Sequence, residues 1–416
     1  MSTKRYLTAD EVVAALAISK ATLYSYVSRG LIRSEETGDK PRTKRYWAED
    51  VETLKQRKEQ RRNPAQAAAA ALHWGDPVLE SAITLIVDGQ CYYRGQRVID
   101  LARDYHFEQV AALLWRGDFA GHTLFAEPLP TAIAIMHHLS ASHPLTLGAP
   151  AQPATQPSAT PAEAFQMALL TAAPLDLAAY HHEAPAVMRT GVRILQVLTQ
   201  VVAPSERAGR IAERLQRTWR PAEPDVAALL DSVLILCADH ELNISSFTAR
   251  CVASAGATPY GAVLAALAAL QGYKHGGVGE RVAAFLDTAT PDPHYAVRAC
   301  LRRGEPIPGF GHHLYPAGDP RGKLLLELAH VARPAAPVLA VADAIIETTA
   351  TATQLAPNLD FGLVTLARAL ALPAHASFTL FALGRTAGWV GHVLEQYALN
   401  QLIRPRSRYI GVPPLV

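Results

Sequence analysis

Cysteine is scarce and scattered in this 416-residue chain: Cys91, Cys237, Cys251 and Cys300 show no Cys-x-x-Cys spacing. The pattern argues against both a disulfide framework and a zinc knuckle, and it fits a reducing cytoplasm. The N-terminus, Met1-Ser2-Thr3-Lys4-Arg5, runs into a polar helix start with no apolar stretch of the kind a secretory signal carries. A membrane span is missing as well. The most apolar run, Cys251 to Leu270, holds Thr258, Pro259 and Tyr260 among its alanines and reads as one or two buried helices. The pairs His137-His138 and His181-His182 have no third ligand at metal spacing, so they are read as surface or helix-end residues and no metal site is expected. Beyond the segment Ala149 to Ala162 no period-2 alternation is sustained, which makes the fold class mainly α.

What is present is a large apolar fraction and an uneven charge. Half the residues are hydrophobic, and 416 residues are too many for one compact core, so two or three folding units are expected. Residues 1–62 hold 14 Lys and Arg against 9 Asp and Glu, a balance of +5, which leaves 25 against 28, or −3, for the rest of a chain of net charge +2. The basic charge therefore sits at the N-terminus.

Residues 1–62 read as a small separate domain. Thr8 followed by Glu11 is a capping box, with Val12, Val13, Leu16 and Ile18 as the apolar stripe behind it. Ser19 caps a second helix that turns Leu23, Tyr24 and Val27 inward and ends at Gly30. Ser34 to Thr43, with Gly38 and Pro41, turns a hairpin whose return strand is Lys44-Arg45-Tyr46, and a charged third helix follows from about Ala48 to Gln60. This order resembles the winged helix-turn-helix domains of the MerR and excisionase type, through Thr22-Leu23-Tyr24, Ser28-Arg29-Gly30-Leu31-Ile32 and Arg45-Tyr46. The resemblance implies DNA as a candidate partner, met by Lys20, Tyr26, Arg29, Lys44 and Arg45; the alternative is a basic module serving folding or partner contact.

Arg61 to Ala71 reads as a linker into a larger helical region, and the proline-rich Ala149 to Ala162 as a surface loop. Within that region Glu108 to Trp115 is a periodic helix closed by Arg116-Gly117-Asp118. The most telling segment is Gly309-Phe310-Gly311-His312, followed seven residues after the histidine by Asp319-Pro320-Arg321. A histidine among glycines and upstream of a fixed-charge arginine suits the binding and polarisation of a small carboxylate substrate.

Two further constellations flank it: Ala238-Asp239-His240-Glu241-Leu242-Asn243-Ile244-Ser245 leading to Lys274-His275-Gly276-Gly277, and Asn358-Leu359-Asp360-Phe361. Together with Gly384-Arg385-Thr386-Ala387-Gly388-Trp389, His392 to Gln396 and Ile403-Arg404-Pro405-Arg406, they resemble the citrate synthase family in order and separation, over roughly Leu72 to Val416. The resemblance implies a large helical domain (63–276 and 372–416), a small one (277–371), and condensation of acetyl-CoA or propionyl-CoA with oxaloacetate. In that scheme Asp360 is the base that makes the enolate, His275 the donor at the thioester oxygen, and His312 the group that polarises the ketone. His240, Arg321, Arg385 and Arg404 would bind the oxo acid, and Pro308, Gly309, Phe310 and Gly311 would meet CoA, which is a substrate; no cofactor is implied. The family places the last arginine in the neighbouring subunit's site, which implies a homodimer. His392 is read as a core histidine, His313 as an exposed neighbour, and Asp360 has the duller reading of a helix N-cap.

Cys237 stands where many members carry histidine, Tyr273-Lys274 precedes the catalytic-type histidine, Val278-Gly279 follows it in place of Ala-Asn, and Phe361-Gly362-Leu363 follows Asp360. These departures bear on acyl chain length and acceptor choice, which pocket walls decide. The competing reading is a DNA-binding transcriptional regulator whose synthase-like domain senses an acyl-CoA or a 2-oxo acid. Retained Asp360 favours the enzyme.

Overall fold

The computed structural model describes residues 6–36, 44–48, 50–51, 54, 79–125, 160–206, 208–407 and 409–412. The chain gathers into two compact units, Met1–Glu80 and Ser81–Val416. Of the expected third N-terminal helix Ala48, Asp50, Val51 and Leu54 are described, all helical; the linker over 61–71, most of the proline-rich loop and the pair His137-His138 lie outside the described residues.

The first unit runs β1 (Tyr6–Leu7), α1 (Ala9–Leu16), α2 (Lys20–Ser28), β2 (Ser34–Glu36) and β3 (Lys44–Trp47), with an antiparallel sheet in the order β1-β3-β2. Thr8 and Glu11 close a reciprocal capping box on α1, and Ser19 Oγ accepts the Thr22 N–H at the start of α2. Val12, Leu16, Leu23, Ile32, Tyr46 and Val51 form the core. Tyr24, expected to face inward, is 55% exposed. It follows Leu23 directly, and one residue is about 100° of helix rotation, so the two point to different faces. Strand β1 was not foreseen, because two residues carry no alternation to detect.

The second unit opens with a three-stranded meander, β4 (Thr84–Val87), β5 (Gln90–Tyr93) and β6 (Gln96–Arg97), likewise absent from the sequence reading. Helices follow: α3 (Val98–Asp104), α4 (Phe107–Arg116), α5 (Pro161–Ala172), α6 (Ala184–Val202), α7 (Ile211–Trp219), α8 (Val226–Cys237), α9 (Ile244–Ser254) and α10 (Pro259–Leu270). Then come α11 (Val278–Ala289), α12 (Pro293–Arg302), α13 (Pro320–Ala332), α14 (Pro337–Thr353), α15 (Leu359–Ala369) and α16 (Ala376–Leu399). The mainly helical class holds. No helix among the described residues is long and apolar enough to cross a membrane.

Two hydrophobic cores form within this unit. The larger is built around α16, which is buried along most of its length and packs against α4, α6, α8, α9 and α10. The smaller joins α11, α12 and α14 through residues such as Val282, Val297 and Ile345. Helix α15 belongs to both: Leu359, Leu363 and Leu366 enter the larger core, Phe361 and Val364 the smaller. A helix apolar on two faces is held from both sides, which fixes the position of Asp360 in its first turn.

Candidate functional site

The site is organised by the C-terminal end of α8 and by α16 crossing it. A helix leaves its last carbonyls without intrahelical partners, and several at and just past this end find one nearby. Arg385 Nε donates to Cys237 O at 2.8 Å, Gly388 N to Ala238 O at 3.1 Å, and the Tyr93 hydroxyl lies 3.2 Å from Ile235 O and 2.8 Å from Asp239 O. Contact between the two helices is backbone to backbone, because a Cβ on Gly388 would stand 2.3 Å from Ala238 O. His240 emerges from this capped end. The Asp239 carboxylate beside it accepts from Thr84 Oγ1 at 2.6 Å and lies 3.2 Å from His392 Nε2, so His392 sits in the core as read from sequence.

His275 occupies the turn after α10, its N–H bonded to Gly272 O. Its Nε2 lies 2.9 Å from Ser245 Oγ. That hydroxyl is held by Asn243 Oδ1 at 2.7 Å and by Trp389 Nε1 at 3.1 Å, and Asn243 also caps α9. Burial, with Arg385 adding to it, lowers the His275 pKa to about 4, so the ring is neutral at physiological pH.

The Gly309 to Arg321 segment is sewn to the entrance of α15. Asn358 N donates to Gly309 O and Gly311 N to Ala356 O, both at 2.9 Å, and Phe310 meets Phe361 edge to face at 4.8 Å. Gly309 takes φ +82°, where a Cβ would also press on Phe361 at 2.8 Å. His312 Nδ1 accepts the Leu314 N–H at 3.1 Å, which leaves the proton of the neutral ring on Nε2. Burial, then Arg321, lowers its pKa to about 4. Asp319 caps α13, receives Leu359 N at 3.2 Å, and grips the Arg321 guanidinium through Nε at 3.0 Å and Nη2 at 2.8 Å.

Arg321 Nη1 is buried without a hydrogen-bond partner. Arg385, also buried, has no carboxylate in ion-pair contact among the described residues; its guanidinium lies 4.7 Å from the Phe381 ring. Two desolvated guanidinium groups with donors to spare describe a receptor for an anion. His240 faces the same space. Its ring contacts His312 at 5.1 Å, and burial together with the positive fields of Arg321 and Arg385 holds its pKa well below the ordinary histidine range. The Asp360 carboxyl is pushed up to about 6 by burial, against the pull of Arg321 and Arg385. Asn358, not Asp360, caps α15: its Oδ1 accepts the N–H groups of Asp360 and Phe361. The carboxylate of Asp360 receives no hydrogen bond from another described residue, so it is not spent on structure.

The fold therefore gathers His240, His275, His312, Arg321, Asp360 and Arg385, with the Pro308 to Gly311 loop at their side. Arg404 is elsewhere, on an exposed C-terminal segment, and His313 is exposed as expected. Tyr315, Asn243, Ser245 and Asp319 were not singled out, although each lies inside a motif that had been noted; their roles are to hold other side chains, and sequence spacing does not show that. In the first unit Lys20 pairs with Asp10 at 2.7 Å, and Arg45 pairs with Glu35 at 3.0 Å and lies over the Tyr6 ring. Tyr26 packs partly against the core, while Arg29 and Lys44 are exposed.

A helical unit that brings a carboxyl, three histidines and two arginines together is suited to acid–base chemistry on an anionic substrate. The family model described as citrate synthase, C-terminal domain, matches residues 71–406. Citrate synthase of Haloferax volcanii is 32% identical over 80% of this chain and 93% of its own length. The 2-methylcitrate synthase of Mycobacterium tuberculosis is 32% identical over 77% of this chain and 84% of its own. The crystal structure of citrate synthase from Pyrobaculum aerophilum superposes with a TM-score of 0.66 at 26% identity, over 82% of this chain and 92% of that one. This chain belongs to the citrate synthase family.

Proposed function

We propose that this protein condenses an acyl-CoA, acetyl-CoA or propionyl-CoA, with oxaloacetate to give citrate or 2-methylcitrate and free CoA. The observation that carries the reading is the pairing of two buried guanidinium groups open to an anion with a carboxyl group held at about 6 in the same cleft. The first supplies a seat for a dicarboxylate and the second a base for the thioester.

Asp360 removes a proton from the carbon next to the thioester carbonyl, and the electron pair moves onto the carbonyl oxygen as an enolate. His275 donates to that oxygen. Ser245, 2.9 Å from Nε2, orients the ring. Arg321, Arg385 and His240 hold oxaloacetate, and His312 presents Nε2–H to its ketone. The enolate carbon attacks the ketone carbon, and the new alkoxide takes a proton from His312. Water then cleaves the thioester of the citryl-CoA intermediate and releases CoA. Neutral imidazoles suit both donor roles, because an enolate and an alkoxide form only fleetingly and a matched, weakly acidic donor stabilises them without being titrated at rest.

The large and small helical domains of the family, 63–276 with 372–416 and 277–371, would close over CoA at the Pro308 to Gly311 loop. Arg404 on its exposed segment is free to enter a second subunit's cleft; sedimentation of the full chain at twice its 44.8 kDa subunit mass checks the homodimer. Residues 1–62 are read as a winged helix-turn-helix that touches DNA through Arg29 and Lys44 first, since Lys20 and Arg45 already have carboxylate partners. The unpaired cysteines, three of them buried, support a cytoplasmic setting. The relatives named here are synthases, and nothing favours the regulator alone.

Release of free thiol from acetyl-CoA or propionyl-CoA, dependent on oxaloacetate and lost in Asp360→Ala, is the expected result. A wild-type protein that releases none from either thioester overturns the reading.

A further inference from the structure

Tyr315 lies at the centre of the groups proposed to hold the oxo acid. Its side chain is buried, its hydroxyl is 3.0 Å from His240 Nε2, and its ring meets His312 at 5.0 Å and the Arg321 guanidinium at 5.4 Å. Its backbone N–H donates to His312 O at 3.1 Å.

The proton on this hydroxyl has a definite destination. His240 is neutral, because burial and the charges of Arg321 and Arg385 oppose a second proton. A neutral imidazole carries one N–H, and its other nitrogen is a good acceptor. The buried thiol of Cys91 lies against the same hydroxyl; its pKa is pushed up to about 12, so it stays S–H, and sulfur is a weak acceptor beside an imidazole nitrogen. The ordering in which every strong group is satisfied is Tyr315 O–H donating to His240 Nε2. His240 Nδ1 has no hydrogen-bond partner among the described residues, so it then bears the ring proton and is the donor left for a ligand.

We propose that Tyr315 is a positioning residue for oxo-acid binding: its hydroxyl donates to His240 Nε2, fixes that ring as the Nδ1–H tautomer and so makes Nδ1–H the group offered to the substrate. The step rests on the function proposed above for His240, but the tautomer itself is independent of it.

Tyr315→Phe keeps the ring and removes only the hydroxyl. Loss of one such buried hydrogen bond should raise KM for oxaloacetate roughly tenfold, with kcat and KM for acyl-CoA within about twofold of wild type. Since Tyr315 acts through His240, the substitution should add nothing to KM in a His240→Ala background. Effects that multiply, or a fall in kcat with KM for oxaloacetate unchanged, overturn the proposal. A readout that needs no turnover is 15N NMR of the full-length protein labelled at histidine, with His240 assigned by the His240→Ala variant. Wild type should show His240 as Nδ1–H alone and Tyr315→Phe a mixture of tautomers; the same single tautomer in both also overturns it. A wild type inactive with every thioester, yet showing this tautomer change, would count against the proposed reaction and leave the Tyr315 assignment standing.

Discussion

The side chain proposed as the base is Asp360, and its environment dictates how activity should vary with pH. A base must be ionised to accept a proton, and burial sets this carboxyl at about 6 although Arg321 and Arg385 pull the other way. His275 and His312, lowered to about 4, are already neutral across that range. Between about pH 5 and 7, therefore, the loss of kcat/KM on acidification should belong to Asp360 alone, falling about tenfold per pH unit below its pKa. Removing Arg385 removes one of the two positive fields acting on the carboxyl, so the acid limb should move to higher pH in Arg385→Gln. A pH–rate profile measures both. An acid limb that stays below pH 5, or that does not move in the variant, would exclude Asp360 as the ionising base.

At the scale of elements, helices are held by groups at their ends, and one such contact predicts a stability effect far from the cleft. Glu108, in the first turn of α4, accepts the Ile211 N–H at the start of α7 at 2.7 Å, while its second oxygen is buried without a partner. Asp231 of α8 lies close by, paired to Arg210 at 2.7 Å and to His106 at 3.2 Å, and Arg210 also holds Glu213. Burial first, then the Asp231 charge, pushes Glu108 up to about 7, with the Ile211 N–H and Arg210 opposing. The folded state binds this proton more tightly than the unfolded chain, so stability is fully present at acid pH and is lost as pH rises from about 4.5 towards 7. A shift of this size costs at most about 3 kcal/mol at high pH. Glu108→Gln should raise the melting temperature at pH 8 and change it little at pH 5, as thermal unfolding at the two values would show. A variant no more stable than wild type at pH 8 would mean that the carboxylate is better solvated than its surroundings suggest.

The same scale shows what the sequence made legible. Capping boxes and glycine stops marked α1, α2 and α4, since those signals are local and act within one turn. The meander of β4 to β6 was passed over: its strands are two to four residues long, too short for period-2 alternation. Its turns did leave a trace, Asp88-Gly89 and Arg94-Gly95, each a pair at positive φ as a tight hairpin requires. The capping of the α8 carbonyls by Tyr93, Arg385 and Gly388 left none, because it depends on which helix crosses which.

Across the whole molecule, that is the general limit. His275, His312 and Asp360 stand 37 and 48 residues apart, and no periodicity brings them together; family resemblance located them, and only the packing of α8, α13, α15 and α16 explains why they meet. Tyr315 was invisible for the same reason, since its partner His240 is 75 residues away. The division at about residue 80 carries a last prediction. The family match begins at residue 71 and all the site residues gathered in the cleft lie beyond it, while the first unit has its own core of Val12, Leu23, Tyr46 and their neighbours. A chain lacking residues 1–70 should therefore keep kcat and both KM values within about twofold, as expected when a folding unit with a separate core is removed. Duplex DNA binding by the full chain, steeply weakened by salt and by Arg29→Ala, should vanish in the shortened one. If instead the shortened chain loses the synthase reaction while staying folded and of unchanged oligomeric state, the N-terminal unit is part of the catalytic apparatus and its reading as a separate DNA-contacting module fails.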